Sequence, residues 1–390
     1  VRIGAPSFSR TVHTRHLATF ALLLAVPLQG RASPQAATKA PAAPYHIVKT
    51  IPLPFLKRTD GPIAFNAASG RLFVPDGKDV VVINADTGEL VGRIAKTDHV
   101  SQIAFAPDIN RGFIVDSERR DLTIFDPRSF TTVTRVGAGN ESSSIEYSPS
   151  MKEVFTTGPS SKDCRVFDAM TGKTIKTVKL GGYALSSIQD SEGHIYFGLS
   201  PRRLGPPPVT VLGAPTRVSL GLDVPGEIAV LNSRSSEIVD RWKEPSCTGM
   251  RLVGIDDAHR RLVAGCKGSS ALIDADTGEI TALASIAGNP LFYLQFSAHL
   301  GDAFVVITHP FALVAMHESS PSQLVDTGII ARGFPQSIAL DDKTGRLFII
   351  DSDEKMVQTG FWLNTPGRPT PANVPEAVPG TFRVLVFAMN

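Results

Sequence analysis

A chain of 390 residues with 39 basic and 37 acidic side chains has a net charge of only +2, and its basic residues are scattered rather than clustered. That pattern excludes a phosphate backbone as a partner class, because nothing concentrates positive potential on one surface. The 33 glycines and 29 prolines, with little helical periodicity beyond the N-terminal segment, describe many short strands joined by turns.

The N-terminal segment reads separately from the rest. Arg2, Arg10 and Arg15 precede an apolar run from Leu17 to Leu28, and Gly30-Arg31-Ala32 then offers small residues where a signal peptidase cuts. Residues 1–32 are therefore expected to be a signal peptide, with an uncleaved anchor as the alternative. The run is shorter than the roughly twenty apolar residues a spanning helix needs. Residues 33–44 are Ala/Pro-rich and patternless, the composition of a flexible tether. The folded domain is expected over 45–390, in the periplasm or secreted, with no membrane span in the mature chain.

From residue 45 onward one phrase recurs: an apolar strand, a tight turn, a second strand, then an Asp or Asn opening a Thr-Gly-type turn. Gly70-Arg71-Leu72-Phe73-Val74 with Asn84-Ala85-Asp86-Thr87-Gly88-Glu89 is one copy. Asp274-Ala275-Asp276-Thr277-Gly278-Glu279 and Gly345-Arg346-Leu347-Phe348-Ile349 come from others. Aligned on the second strand, Phe73, Phe113, Phe155, Tyr196, Val263, Phe304 and Phe348 are equivalent and about forty residues apart, save one insertion.

Each unit holds four strands. In the first these are Ile63 to Asn66, Leu72 to Pro75, Val80 to Asn84 and Leu90 to Ile94; the second unit has Ile103 to Ala106, Leu122 to Asp126 and Val133 to Val136. The last unit has Gln336 to Leu340, Leu347 to Ile350 and Phe382 to Ala388, and no sequence for a fourth strand. His46 to Leu53 supplies it from the other end of the domain. The expected fold is all-β, a seven-bladed β-propeller of four-stranded blades closed by that N-terminal strand, which removes open sheet edges.

Phe-Val-Pro-Asp at 73–76, Phe-Ile-Val-Asp at 113–116 and Phe-Ile-Ile-Asp at 348–351 resemble the YVTN-type repeat of exported bacterial propellers, the YncE-like group. The resemblance covers nearly all of the chain after the tether, although the literal Tyr-Val-Thr-Asn string does not occur. It implies an exported propeller, in a group whose similar folds act as lactonases, antibiotic lyases or subunits of redox enzymes. No family catalytic motif maps onto these residues. The Trp-Asp mark of WD40 repeats is absent too, leaving a WD40-like repeat the weaker comparison.

Three cysteines in an exported chain raise a disulfide. If Met250 to Ile255 and Arg261 to Cys266 are adjacent strands, their far ends bring Cys247 and Cys266 within bridging range; two buried thiols are the alternative. Cys164, in another unit, reads as a buried inert thiol.

Strand polarity sorts the connections onto two faces. The Asp-Thr-Gly turns and the first-to-second-strand turns fall on face two, and their tight, repetitive chemistry is structural: they lack the ligand spacing of an EF-hand. Both long insertions, Ser200 to Pro225 and Ser352 to Gly380, fall on face one, between second and third strands. The first could fold as a hairpin lid from Val209 to Leu212 and Arg217 to Leu220, or stay an irregular loop around Pro206-Pro207-Pro208.

Inner-strand entries on face one bring Asp60, Asp98 with His99, Asn140 with Glu141, Tyr183, Cys247 with Thr248, Asn289 and Phe334 to the channel mouth. Second-strand exits add Asp116, Glu118, Arg119, Lys267, His309 and Asp351. The expected ligand-binding set is Asp60, His99, Asp116, Arg119, Asn140, Glu141, Lys267, His309 and Asp351, a mix of carboxylates, imidazoles and cations suited to a small polar ligand, a metal-bearing group or a partner protein. No spaced metal-ligand motif is present, and the sequence identifies no cofactor. Ser142-Ser143-Ser144 lacks the Gly-x-Ser-x-Gly context of a hydrolase nucleophile. A non-catalytic, monomeric binding or scaffold module is the leading expectation. The alternative is a lactonase-like hydrolase or lyase using His99 or His309 with Glu141 or Asp116. A periplasmic redox subunit is a third reading, with any haem on another chain since no Cys-x-x-Cys-His occurs.

Overall fold

In a computed structural model the chain is described over residues 45–59, 61–139, 142–202, 224–285, 289–308, 312–320, 323–332, 337–363 and 370–389. These residues form seven four-stranded antiparallel sheets and one two-stranded hairpin. The inner strand of each sheet packs beside those of both neighbours, around a complete ring, so the sheets are the blades of a propeller. No helix among the described residues is long and apolar enough to cross a membrane.

Blade one shows why the repeat folds this way. Its strands are Ala64–Asn66, Arg71–Asp76, Asp79–Asn84 and Leu90–Ala95, in sequence order from the axis outward. The central two, RLFVPD and DVVVIN, are buried on both faces because neighbouring blades cover both sides, hence their continuous rather than alternating apolar character. The aligned position, aromatic in six of the seven blades, has the same register in each. Phe73, Phe113, Phe155, Tyr196, Val263, Phe304 and Phe348 pair on the outer side with Val82, Ile124, Val166, Val230, Leu272, Ala315 and Val386. Each of the seven is at most 1% exposed. Burying such a side chain contributes about 1.5–3 kcal/mol, which makes this position the anchor of each blade.

Closure follows the expected exchange. The seventh blade runs Ser337–Asp341, Arg346–Asp351, Arg383–Met389 and, outermost, Tyr45–Pro52. Tyr45 pairs with Met389 and Pro52 with Arg383, and the Leu53 amide then donates to the Phe382 carbonyl at 2.7 Å. The Tyr45 ring also meets Phe304 of blade six edge-on at 5.3 Å, so the strand is held from two blades.

The Thr-Gly-type turns on face two work through their first residue. Asn84 Oδ1 accepts the amides of Asp86 and Thr87 at 2.8 and 2.9 Å. Asp126, Asp168, Asn232 and Asp274 do the same for their turns. An Asx side chain thus replaces the backbone acceptor that the reversing chain lacks. The turn glycine has a second duty. Gly88 has φ +79°, and a Cβ there would lie 2.1 Å from Ile51 Cγ2 in the outer strand of blade seven; Gly278, at φ +77°, would likewise strike Trp242 of blade four. The turn of one blade is seated on the outer strand of the blade before it.

Side chains also stitch the inner strands together. Gln102 Oε1 accepts the Ile145 amide at 2.8 Å, Ser186 Oγ that of Leu252 at 2.7 Å, and Ser337 Oγ that of Ile63 at 2.7 Å. Each links one blade to the next by satisfying a backbone donor that no strand reaches.

Candidate functional site

Inner and third strands run one way, second and outer strands the other, so every second-to-third connection opens on face one. That face receives both insertions. In blade four the second strand, His194–Ser200, and the third, Pro225–Asn232, are described, while residues 203–223 between them, with the lid pattern, lie outside the described residues. In blade seven the insertion is an ordered element: Glu354–Leu363 pairs antiparallel with Thr370–Ala377. Its foot is fixed by Val378 donating to the Asp353 carbonyl at 2.8 Å. Arg383 grips both Asp351, at 2.7 Å from Nε, and Asp353, at 2.8 Å from Nη1. Asp351, expected in the ligand set, thus sits at the base of this hairpin in an ion pair.

Asp116 closes the second strand of blade two, Arg111–Asp116, and is buried. Oδ1 accepts the Arg119 amide at 2.9 Å and Oδ2 the Asp98 amide. Burial pushes the carboxyl up, and these amides only partly oppose it. His99 occupies the adjoining turn with φ 55°, its Nδ1 3.3 Å from Asp98 Oδ1 and its carbonyl accepting the Ser117 amide at 3.2 Å. Arg119 turns to Asp121, Nε to Oδ2 3.0 Å. Lys267 follows the second strand of blade five, Arg261–Cys266, and its amide donates to the Thr248 carbonyl at 2.9 Å. The structure therefore gathers His99, Asp116 and Arg119 at one corner and separates Lys267 and Asp351 onto other blades. Asp60, Asn140, Glu141 and His309 lie outside the described residues.

Cys247 and Cys266 form a disulfide with Cα atoms 5.0 Å apart. Its topology differs from the simple expectation. Cys247 belongs to the outer strand of blade four, Glu237–Thr248, whose twelve residues carry it across to face one, so the bond staples two blades together. Cys164 is buried, and burial pushes its thiol well above the ordinary range.

On the face-one rim of blade one lies a cleft of about 300 Å³ between the segment leaving the closure strand and the hairpin tip at Gly77. Four cationic side chains line it, Lys57, Arg58, Lys78 and Arg93, against two acids, Asp76 and Asp79, with Phe55 as an aromatic wall. Both acids are already engaged. Asp76 accepts the amides of Lys57 and Arg58 at 3.0 and 3.4 Å and lies 3.6 Å from Arg93, which binds Asp79 at 2.8 Å. Sequence reading missed this cleft because its cations come from three separated stretches, none of them clustered.

Two further groupings were also missed. On face two, Arg260 of blade five reaches into blade four: Nη1 donates to Asp190 Oδ2 at 2.9 Å and Nη2 to the Tyr196 hydroxyl at 3.0 Å. His194 Nδ1 lies 3.1 Å from the same Asp190 oxygen, and its amide donates to Oδ1 at 2.7 Å. Burial pushes the Asp190 carboxyl up, but the His194 amide and the Arg260 guanidinium overcome it and hold it below the usual range. Asp190, Glu192 and His194 are close enough to offer ligands to one cation. With Arg260 already neutralising Asp190 and both its oxygens hydrogen-bonded, the group is built as an inter-blade lock. Between the inner strands of blades three and four, Glu146 accepts from Ser187 Oγ at 2.7 Å, and burial pushes its carboxyl up to about 7. The Glu/Ser pairing spans inner strands of blades three and four and leaves no mark in either repeat.

No protein-family model matches the chain, and no curated protein does. Among solved structures it is similar to a chain of Kuenenia stuttgartiensis hydrazine synthase, with a TM-score of 0.60 and 13% identity over 75% of this chain and 92% of that one. It is also similar to a chain of the mitotic checkpoint complex, with a TM-score of 0.58 and 14% identity over 85% of this chain and 95% of the other. At these identities the likeness carries the seven-bladed fold and no activity.

Proposed function

We propose that this chain is an exported, non-catalytic binding propeller of the YVTN-type, YncE-like group, which holds a small polar ligand, a metal-bearing group or a partner protein on face one. The observation that carries the reading is the asymmetry of the faces. Face two is built of near-identical Asx turns, while both insertions, including the ordered hairpin Glu354–Leu363 with Thr370–Ala377, leave from face one. Variable loops on a repeated scaffold are where recognition is placed. Export is supported by the Arg-flanked apolar run ahead of residue 32 and by the Cys247–Cys266 bond, which an oxidising compartment preserves.

The test is a thermal-shift screen of metabolites and metal ions on the full chain and on a variant with residues 354–377 and 203–223 replaced by short Gly-Ser links. Ligands that stabilise the full chain and leave the variant unmoved support the reading. Equal stabilisation of both would sink it. Hydrolysis of any lactone in a parallel substrate panel, lost on His99→Ala, would instead favour the enzyme.

A further inference from the structure

We propose that the cleft on the rim of blade one is a binding site for a small organic anion, a carboxylate or phosphate monoester, whose charged head is held by Lys57 and Lys78 and whose carbon frame lies on Phe55. The proposal deepens the face-one reading by giving that face a site and a ligand chemistry. Three observations carry it. First, the lining has four cations and two acids, and the acids are committed: Asp76 to two backbone amides and Arg93, Asp79 to Arg93. The uncompensated charge is therefore positive and belongs to the lysines. Second, the two lysines arise at one spot. The Lys57 amide is bonded to the Asp76 carboxylate at 3.0 Å, and Lys78 follows two residues after that same Asp76, past Gly77. Among the described residues neither ammonium has an acceptor within ion-pair reach, and both residues are exposed to the solvent from which an anion would arrive.

Third, the cavity of about 300 Å³ is at the small end of ligand-sized pockets, and its partly buried aromatic wall would distinguish an organic anion from a bare ion. Asp76 acts here as a positioning residue. By fixing the backbone at 57 and 58 it keeps the segment bearing Lys57 against the hairpin bearing Lys78, and it spends its own charge on those amides and on Arg93 rather than on either ammonium. Charge-assisted contacts to an oxyanion are the stronger class of hydrogen bond, and they weaken as salt screens an open site.

The experiment is a titration of the full chain, followed by backbone amide NMR, with benzoate, acetate and inorganic phosphate as probes. Saturable shifts confined to residues 55–58 and 76–79 are expected, with benzoate binding more tightly than acetate and all three weakening in 0.5 M salt. Lys57→Gln with Lys78→Gln should weaken binding by about tenfold or more, the loss of two charge-assisted contacts, with the melting temperature unchanged. Lys173→Gln, in an exposed face-two turn of blade three, should leave it unchanged. Absence of saturable shifts with every probe, or equal affinity in the double variant, overturns the proposal. Removing residues 354–377 separates it from the broader reading. Anion binding retained there and lost in the double lysine variant supports the cleft, whereas the reverse pattern moves the site to the hairpin and overturns it.

Discussion

Arg260 Nη1 lies 2.9 Å from Asp190 Oδ2, an oxygen of a side chain with no exposed surface, and so ties blade five to blade four. Removing one partner of such a pair leaves a buried charge without compensation. Arg260→Ala is expected to cost about 3 kcal/mol at neutral pH by urea unfolding, with Arg260→Lys costing less. The Asp190 carboxyl is depressed in the fold, so its contribution is present above the ordinary carboxylate pKa and is lost as pH falls through the lower folded value. The gap between wild type and Arg260→Ala should therefore shrink below about pH 4. A gap of the same size at pH 3 and 7 would contradict the pairing.

Glu146 has the opposite sign. Its folded pKa is raised from 4.5 to about 7 by burial, so the native state favours the proton and stability falls as pH rises between those values. Relative to Glu146→Gln, which keeps an acceptor for Ser187, wild type should lose up to roughly 3 kcal/mol from pH 4.5 to 7.5 and nothing further above that. Parallel stability curves for the two proteins would show that the carboxylate is solvated rather than buried.

The Cys247–Cys266 bond closes a loop with a sequence separation of 19. On the chain-entropy model, opening a loop of that length costs about 3 kcal/mol. Cys247→Ser with Cys266→Ser should shift the urea midpoint down accordingly, and added reductant should shift wild type to meet it. Cys164→Ser, by contrast, exchanges a buried thiol for a hydroxyl and should leave the response to reductant intact.

Gly88 and Gly70 both have positive φ, yet their surroundings differ: Ile51 crowds the first and nothing lies within 4 Å of the second. Gly70→Ala should cost about 1 kcal/mol, the strain of a left-handed backbone. Gly88→Ala should cost about 2–4 kcal/mol, since overpacking against the closure strand adds to that strain. Gly88→Ala combined with Ile51→Ala should recover part of the loss, and failure to recover would place the cost in the turn alone.

Local periodicity carried the fold into the sequence. Apolar runs such as Phe73-Val74 and Val80-Val81-Val82-Ile83, closed by Asn84 and Gly88, identify strand and turn within one repeat, and seven copies identify the architecture. Even the closure was legible, because a last unit short of one strand and a first unit preceded by one admit a single exchange. Strand polarity likewise assigned the insertions to face one. What the repeat could not show was which side chains meet between blades. The expected rim residues His99, Asp116 and Arg119 do fall together, but Asp116 turns to backbone amides while His99 and Arg119 turn to the neighbouring acids Asp98 and Asp121.

Arg260 with Asp190 and Glu146 with Ser187 are pairs made by the ring, which brings distant stretches side by side at distances that no repeat encodes. The chain's own pattern determined that there are seven blades, how they close and which face bears insertions, because those follow from strand periodicity and turn chemistry over short spans. Only the tertiary structure decided where charge is buried, where it is neutralised and where it is left over, because each depends on what the neighbouring blade presents across the interface.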